Sequence, residues 1–473
     1  MMEIPCGMQE QFLEAKQLIE SSNDIKIYTH TDCDGICSGA ILSIILDRLN
    51  KDYEIEFVNL DEIEDLDLDH KLTIFSDLGS GQGVDKNAKD GQKILILDHH
   101  PPLRDINYKN DKAYTYLEIN PIFYGIDGSY YVCGGGLCYF LAKTFGFKDL
   151  SWIGVLSAIG DMQNNKTGHF EGLNEIIQED AINEGLLKVT KNDLNIYGRS
   201  TRPLYVALSY FSDVKLPITN NQQEAKVVLE ELGVDEKHNR KTLSEVTEED
   251  KMEIKKFLSR MISKRVPPKY LKYVPKLIVG DAYTFLNEEE GSFLRDGSEF
   301  STAMNACGRN RKEAIGVDII KGDRLIAIDA LEEVSKTHKY NLATSISKVA
   351  DNYHSEIIEL DNFQYFDCSD FDEDIASNII GTITGMVLGY CNWKKPILGF
   401  SKPKNNQIKV SLRCSKLLAY DGIHFGNMMR EIAKEVGGTG GGHAIACGAY
   451  IPNEKKSEFL DKFNRKLQGK IAN

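Results

Sequence analysis

The sequence predicts an α/β protein built from two α/β domains with a helical segment inserted between them. Three observations carry this expectation. At 473 residues the chain exceeds what one ordinary core organises. Between Asp24 and about Gly160, short β-rich runs that are apolar on both faces alternate with helical patterns, as in a parallel sheet covered on both sides. A second α/β series begins near Lys276, after a charged helical stretch.

In chain order, "MMEIPCGMQEQFLEAKQLIESS" spaces charges through an apolar pattern, which predicts an amphipathic helix and neither a signal peptide nor an anchor. Strands are expected at "IKIYTH", "YEIEFVNL", "LTIFSDLG" and "KILILDHH", and helices at "GICSGAILSIILDRLN", "GGLCYFLAKTFG" and "LSWIGVLSAIG". The acidic "DEIEDLDLD" (Asp61 to Asp69) reads as a solvated connection. Residues 1–185 form the first expected domain and 186–275 the helical insert, with "QQEAKVVLEELG" and "TEEDKMEIKKFLSRMISKR" as its helices. In that insert "YGRSTR" and "KKFLSRMISKR" set positive charge beside aromatics, fitting either a nucleic-acid contact or an ordinary solvated face. The last domain, 276–473, has expected strands at "KLIVGD", "AIGVDII", "PILGFSK" and "QIKVSLR", with helices near "ALEEVSKTHKYNLATSISKVADNY" and "GNMMREIAKEV". An active cleft between the two α/β domains completes the expected architecture.

A hydrophobic share of 42% with 27% charged residues is that of a globular chain, and no apolar run reaches the roughly 18 residues of a membrane span. A cytoplasmic protein without a membrane partner is expected. The 10 cysteines are scattered without a paired framework, which suggests reduced thiols; Cys33 with Cys37 and Cys133 with Cys138 suit packing better than a zinc site. A net charge of −15 argues against indiscriminate binding to nucleic acid while leaving room for a local basic groove.

The chemistry concentrates at element ends. "THTDCDGICSGA" crowds His30, Asp32 and Asp34 behind the first strand; Asp77 follows "LTIFS", Asp98, His99 and His100 follow "KILIL", and Asp161 follows "WIGVLSAIG". A lone strand-end Asp is usually a cap or turn former. Four such clusters at element ends are hard to produce by capping alone. Five carboxylates and three imidazoles gathered on one rim would repel one another unless divalent cations neutralised them.

The set "HTDCDG", "SDLG", "LDHHPP" and "GDMQ" resembles the four motifs of the DHH phosphoesterase superfamily, whose name is spelled by Asp98, His99 and His100. "FSTAMNACGRN", "VSLRCS" and "GGTGGGHAIACGAYIP" resemble substrate-side motifs of the DHH-associated domain of RecJ-type exonucleases. Length and the HxDxDG form resemble the archaeal RecJ-like nucleases, including those that associate with the replication protein GINS. The resemblance implies one metal on His30, Asp32 and Asp77 and a second on Asp34, Asp77, His99 and Asp161, with Asp77 bridging. Mn²⁺ is the implied ion, with Mg²⁺ or Co²⁺ as alternatives. His100 is then expected to contact the scissile phosphate, to protonate a leaving oxygen, or merely to orient His99. Asp98 is expected to orient a ligand or, less favoured, to position water as a base.

For substrate, the glycines of "GGTGGGHA", including Gly440, Gly441 and Gly442, would let backbone N–H groups approach phosphate, with His443 adding a charged hydrogen bond. Arg413 and Arg309 are candidate phosphate forks, and Ser415 closes the same motif as Arg413. His70, His169, His238, His338, His354 and His424 lack ligand-like company and read as structural or surface residues. The expected function is a two-metal phosphodiesterase acting as a single-strand-specific exonuclease, 5′ to 3′ on DNA, releasing mononucleotides. The alternatives are an oligonucleotide phosphodiesterase or 3′-to-5′ RNA exonuclease, and a GINS-binding replisome scaffold with weak activity.

Overall fold

The structure is a computed structural model describing residues 2–60, 62–63, 66, 68–109, 113–234, 241–350, 356–368 and 373–471. His238, His354 and four acids of the expected connection (Asp61, Glu64, Asp65 and Asp67) lie outside the described residues.

The chain runs α1 (Cys6–Glu20), β1 (Ile25–Thr29), α2 (Cys33–Arg48), β2 (Tyr53–Phe57), β3 (Leu72–Ser76), β4 (Lys93–Leu97), β5 (Thr115–Ile119), α3 (Gly134–Thr144), α4 (Ser151–Gly160), α5 (Leu173–Asn183) and β6 (Leu187–Leu194). It continues through α6 (Leu204–Ser209), α7 (Gln222–Glu231), α8 (Glu248–Ser263), α9 (Val274–Ile278), β7 (Val279–Phe285), α10 (Gly297–Arg309), α11 (Glu313–Lys321) and α12 (Ile326–Val349). The last part holds β8 (Ile358–Glu359), β9 (Gln364–Asp367), α13 (Glu373–Val387), β10 (Ile397–Phe400), β11 (Gln407–Arg413), α14 (Lys416–Tyr420), α15 (Phe425–Glu435), β12 (Thr439–Gly442), β13 (Ala446–Pro452) and α16 (Lys456–Leu467).

By contacts these elements form two compact units, one of residues 1–192 with 281–335, the other of 193–280 with 336–473. In the first, a parallel five-stranded sheet has the order β2-β1-β3-β4-β5. The order in which the chain lays down its strands reverses between β1 and β3, the crevice where open α/β sheets bind ligands. Register does the rest: Thr29 pairs with Ser76, and Ser76 with Leu97, so β1, β3 and β4 end level. His30, Asp77 and Asp98, each the next residue, therefore leave the sheet side by side. Helix α2 is buried on nearly every side, which accounts for its apolar run and its small residues; a Cβ on Gly39 would lie 2.8 Å from Ile55 Cδ1.

The segment 281–335, expected with the C-terminal domain, packs into the first unit, where Phe285, Phe300, Met304, Val317 and Ile319 share a core with α2, α3 and α4. "AIGVDII", expected as a strand, lies in α11: Val317, Ile319 and Ile320 are buried while Asp318 faces out. A short apolar run is ambiguous by periodicity, and here packing against α2 decided for helix. "KLIVGD" divides between the end of α9 and the start of β7.

In the second unit, Leu204, Leu208, Leu229, Ile254, Leu258 and Ile262 of the insert form a core that Trp393 and Leu417 share. Its buried Asp193 is neutralised by Arg199 at 2.7 Å and Lys251 at 3.1 Å. A six-stranded sheet follows, ordered β12-β13-β11-β10-β9-β8, antiparallel except for β9 with β10. Expected strands at β10 and β11 and helices at α12 and α15 are present, although α12 ends at Val349. Among the described residues no helix is long and apolar enough to cross a membrane.

Candidate metal centre

Three groups of potential ligand atoms, each within 4.8 Å of one another, form on the level ends of β1, β3 and β4: His30, Asp32 and Asp77; Asp34, His99 and Asp161; and Asp77, Asp98, His99 and His100. Asp77 and His99 each belong to two groups.

Asp32 caps α2, its Oδ1 accepting from Gly35 N–H at 3.1 Å while its Oδ2 lies 3.1 Å from His30 Nδ1. Only glycine fits at position 35, because a Cβ there would stand 2.0 Å from the His30 carbonyl oxygen. Asp77 leaves β3 with φ of 59°, in the left-handed region that a non-glycine residue adopts at a cost, and its Oδ2 faces His30 Nδ1 at 3.5 Å. Asp34, in the first turn of α2, accepts from the N–H groups of Gly134 (2.8 Å) and Gly135 (2.7 Å) at the start of α3, and from Ser157 Oγ on α4. The positive end of α3 thus faces this carboxylate. Asp161 follows α4, and the Gln163 amide donates to its Oδ2 at 2.6 Å.

His99 is fixed from behind. Its Nδ1 lies 2.7 Å from the Gly128 carbonyl, which makes Nδ1–H the donor and turns the Nε2 lone pair toward Asp77 Oδ1 (3.2 Å) and Asp34 Oδ2 (3.5 Å). Buried His30 Nδ1, Asp77 Oδ2 and His99 Nε2 have no hydrogen-bond partner. Acceptors facing acceptors in a dry site need a cation or a proton between them. Burial alone would depress His30 and His99, yet their carboxylate neighbours override it and hold both imidazoles well above the usual histidine range. Asp77 is driven well above the usual carboxylate range by burial and by the charges of Asp34 and Asp32. Mixed imidazole and carboxylate donors suit divalent first-row ions, so these residues fit the implied metals.

Asp98 is completely buried and divides its oxygens between the loop that carries it and the segment that follows β3. Oδ2 accepts from Ser80 N–H (2.9 Å); Oδ1 accepts from His99 N–H (2.7 Å) and His100 N–H (3.2 Å) and lies 2.8 Å from His100 Nδ1. Burial opposes its charge, but His100 and these donors hold Asp98 well below the usual carboxylate range. His100 remains nearly half exposed.

The DHH family N-terminal domain matches residues 24–155, the DHH-CID domain 196–274 and the DHHA1 domain 361–469. The uncharacterized protein MJ0831 of Methanocaldococcus jannaschii is 31% identical over 446 residues, 93% of this chain and 92% of that protein. The chain belongs to the DHH family. Among solved structures it is similar in fold to CDC45 from Entamoeba histolytica (TM-score 0.61, 15% identity, 98% of this chain and 99% of that one). It is also similar to RecJ in complex with Mn²⁺ from Thermus thermophilus (TM-score 0.55, 12% identity, 99% of this chain and 55% of that one).

The expected substrate residues of this DHH protein divide between the units. Arg309 ends α10 in the first unit, where Gly308 abuts Thr31: a Cβ there would lie 1.7 Å from the Thr31 carbonyl oxygen. Arg413, Ser415, Gly440, Gly441, Gly442 and His443 belong to the second. The glycine run expected to bring backbone N–H groups to phosphate forms an edge strand, β12, paired with β13, because the glycines let it lie close under α15; a Cβ on Gly426 would meet the Gly442 carbonyl at 1.8 Å. Ser415 caps α14, accepting from Leu417 N–H at 3.2 Å. Arg413 donates to its neighbour's carbonyl, Leu412 O, at 2.7 Å, lies against Gly381 of α13, and has no carboxylate partner among the described residues. Burial lowers its pKa.

Several supporting residues escaped the sequence reading. Asn305 accepts from Cys33 N–H at 3.0 Å, steadying α2 behind the candidate metal ligands. Asn120 donates to Ser80 Oγ (2.9 Å) and the His100 carbonyl (2.8 Å), and Asn174 donates to Gln163 Oε1 (2.9 Å). Gln163 and Asn305 stood inside quoted motifs; Asn120 and Asn174 carried no local signal.

Proposed function

We propose that this DHH protein is a two-metal-ion phosphodiesterase that degrades single-stranded nucleic acid from an end, with DNA attacked 5′ to 3′ and mononucleotides released. The observation that carries the reading is that Asp77 stands between two ligand groups, its Oδ2 3.5 Å from His30 Nδ1 in the group of His30 and Asp32 and its Oδ1 3.2 Å from His99 Nε2 in the group of Asp34, His99 and Asp161, so one carboxylate offers an oxygen to each. Bound there, a pair of divalent ions, Mn²⁺ first among the candidates, supplies a neutralising charge and an activated water for in-line displacement at phosphorus.

The chain's own residues do the remaining work. His30 and Asp32 serve one ion, Asp34, His99 and Asp161 the other, and Asp77 both. Asp98, with both oxygens committed to backbone N–H groups and to the His100 ring, orients His100, as a buried carboxylate does for a catalytic imidazole. His100 then reaches the scissile phosphate or hands a proton to the leaving oxygen. Arg413, half-buried and without a carboxylate partner among the described residues, gains from an anion and serves as a phosphate fork with His443, Ser415 and the Gly440–Gly442 backbone; Arg309 is a second fork. The 5′ polarity and a GINS-type replication partner rest on the resemblance to RecJ-like nucleases.

A time course with 5′- and 3′-labelled single strands of DNA and RNA, and with blunt duplex, in Mn²⁺ tests the reading. Mononucleotides should appear early from the 5′ end of single-stranded DNA, with duplex resisted. Hydrolysis confined to dinucleotides, or equal cleavage of blunt duplex and single strand, would overturn the polymer reading.

A further inference from the structure

We infer that the insert carries a stacking site for the bases of single-stranded nucleic acid, formed by Tyr197 and Tyr210 with Arg202. The site lies outside the metal centre and deepens the single-strand reading above by naming where a second stretch of strand is held. Tyr197 is 36% and Tyr210 39% exposed, and their ring centroids are 6.5 Å apart with planes at 48°, so both rings offer surface to solvent side by side. The Arg202 guanidinium lies over Tyr210, 5.6 Å from the ring centroid. Beside this set, Lys226 Nζ lies 4.5 Å from the ring centroid of Tyr205.

This surface is built and held. Gly198 takes φ of 88°, and the space a Cβ would fill is occupied by Arg202, whose Cγ would be 2.4 Å away; the Arg202 N–H closes the turn on the Gly198 carbonyl at 3.0 Å. Backbone bonds from Ser244 N–H to the Arg199 carbonyl (3.1 Å) and from Leu204 N–H to the Lys241 carbonyl (2.8 Å) pin the segment on both sides of Arg202. A rotamer-rich cation is therefore pre-placed, which lowers the ordering cost of binding.

Charge identifies the occupant. The insert neutralises Arg199 and Lys251 on buried Asp193, yet among the described residues neither Arg202 nor Lys226 has a carboxylate within 4.0 Å. In a chain of net charge −15, cations left unpaired over aromatic rings call for an anion that also carries π-faces. Consecutive nucleotides supply both, with bases on the tyrosines and a phosphate on Arg202.

The test is fluorescence anisotropy of a labelled dT20 strand on the full chain in EDTA, where binding is read without turnover. Tyr197→Ala with Tyr210→Ala should weaken binding by roughly 30-fold or more, while the two Tyr→Phe changes keep wild-type affinity. Arg202→Gln should flatten the salt dependence by about 0.7 in slope. A strand carrying 2-aminopurine should be quenched on the wild-type chain and not on the double alanine variant. Unchanged affinity in a double variant with wild-type circular dichroism, or no quenching on the wild-type chain, would overturn the site. Hydrolysis by the wild-type chain in Mn²⁺ is scored separately: strand binding lost with the tyrosines but no hydrolysis would overturn the nuclease reading and leave the stacking site standing.

Discussion

Asp77 is the residue on which the centre turns, and its two roles pull in opposite directions. As the proposed shared ligand, its loss in Asp77→Ala should take one contact from each ion and cut hydrolysis in Mn²⁺ by roughly 100-fold or more, with bound manganese falling in elemental analysis. Near-native hydrolysis would remove the two-metal assignment. In the metal-free chain the same carboxyl is a burden, since burial and the charges of Asp34 and Asp32 raise its pKa. The folded state then holds this proton more tightly than the unfolded chain, so stability falls as pH rises through the unfolded value of about 4. Metal-free Asp77→Asn should therefore resist urea better than metal-free wild type at pH 7, and the advantage should vanish below about pH 4. Arg413→Ala tests the other side of the chemistry: bound manganese should stay at the wild-type level while substrate affinity weakens, and manganese loss would move Arg413 into the metal shell.

At the scale of elements, the site depends on how helices meet the strand ends. The α3 N-terminus faces Asp34, and α10 brings Asn305 to the first free N–H of α2 and Gly308 against Thr31. Asn305→Ala leaves that amide without its partner and should cost about 1 kcal/mol in urea unfolding. Gly308→Val forces α10 off the loop, since a Cβ already stands 1.7 Å from the Thr31 carbonyl oxygen, so it should destabilise more and also weaken manganese binding in a calorimetric titration. If Gly308→Val binds manganese like wild type, α10 does not position the ligand loop. These contacts join residues some 270 positions apart in the chain, as Cys33 and Asn305 do, and no local pattern announced them.

For the whole molecule, the chain leaves its first unit after β6 and returns to it with β7, so that 281–335 completes a core begun at the N-terminus. A fragment of residues 1–192 lacks Phe300, Met304 and Val317 from that core. It should bind a hydrophobic dye and be cut quickly by protease, whereas the full chain should resist both. A fragment 1–192 as resistant as the full chain would make the first unit independent of 281–335.

The sequence alone determined the parallel sheet, the helical insert and the identity of the clustered acids and histidines, because strand runs, helical periodicity and residues at element ends are written locally. Tertiary structure decided what depends on neighbours. Register levels β1, β3 and β4 so that His30, Asp77 and Asp98 emerge together, and the Gly128 carbonyl selects which nitrogen of His99 faces the carboxylates. Packing against α2 turns "AIGVDII" into helix, and pairing with β13 makes the glycine run a strand. Each of these outcomes is an energy of contact between distant segments, and only the folded chain brings those segments together.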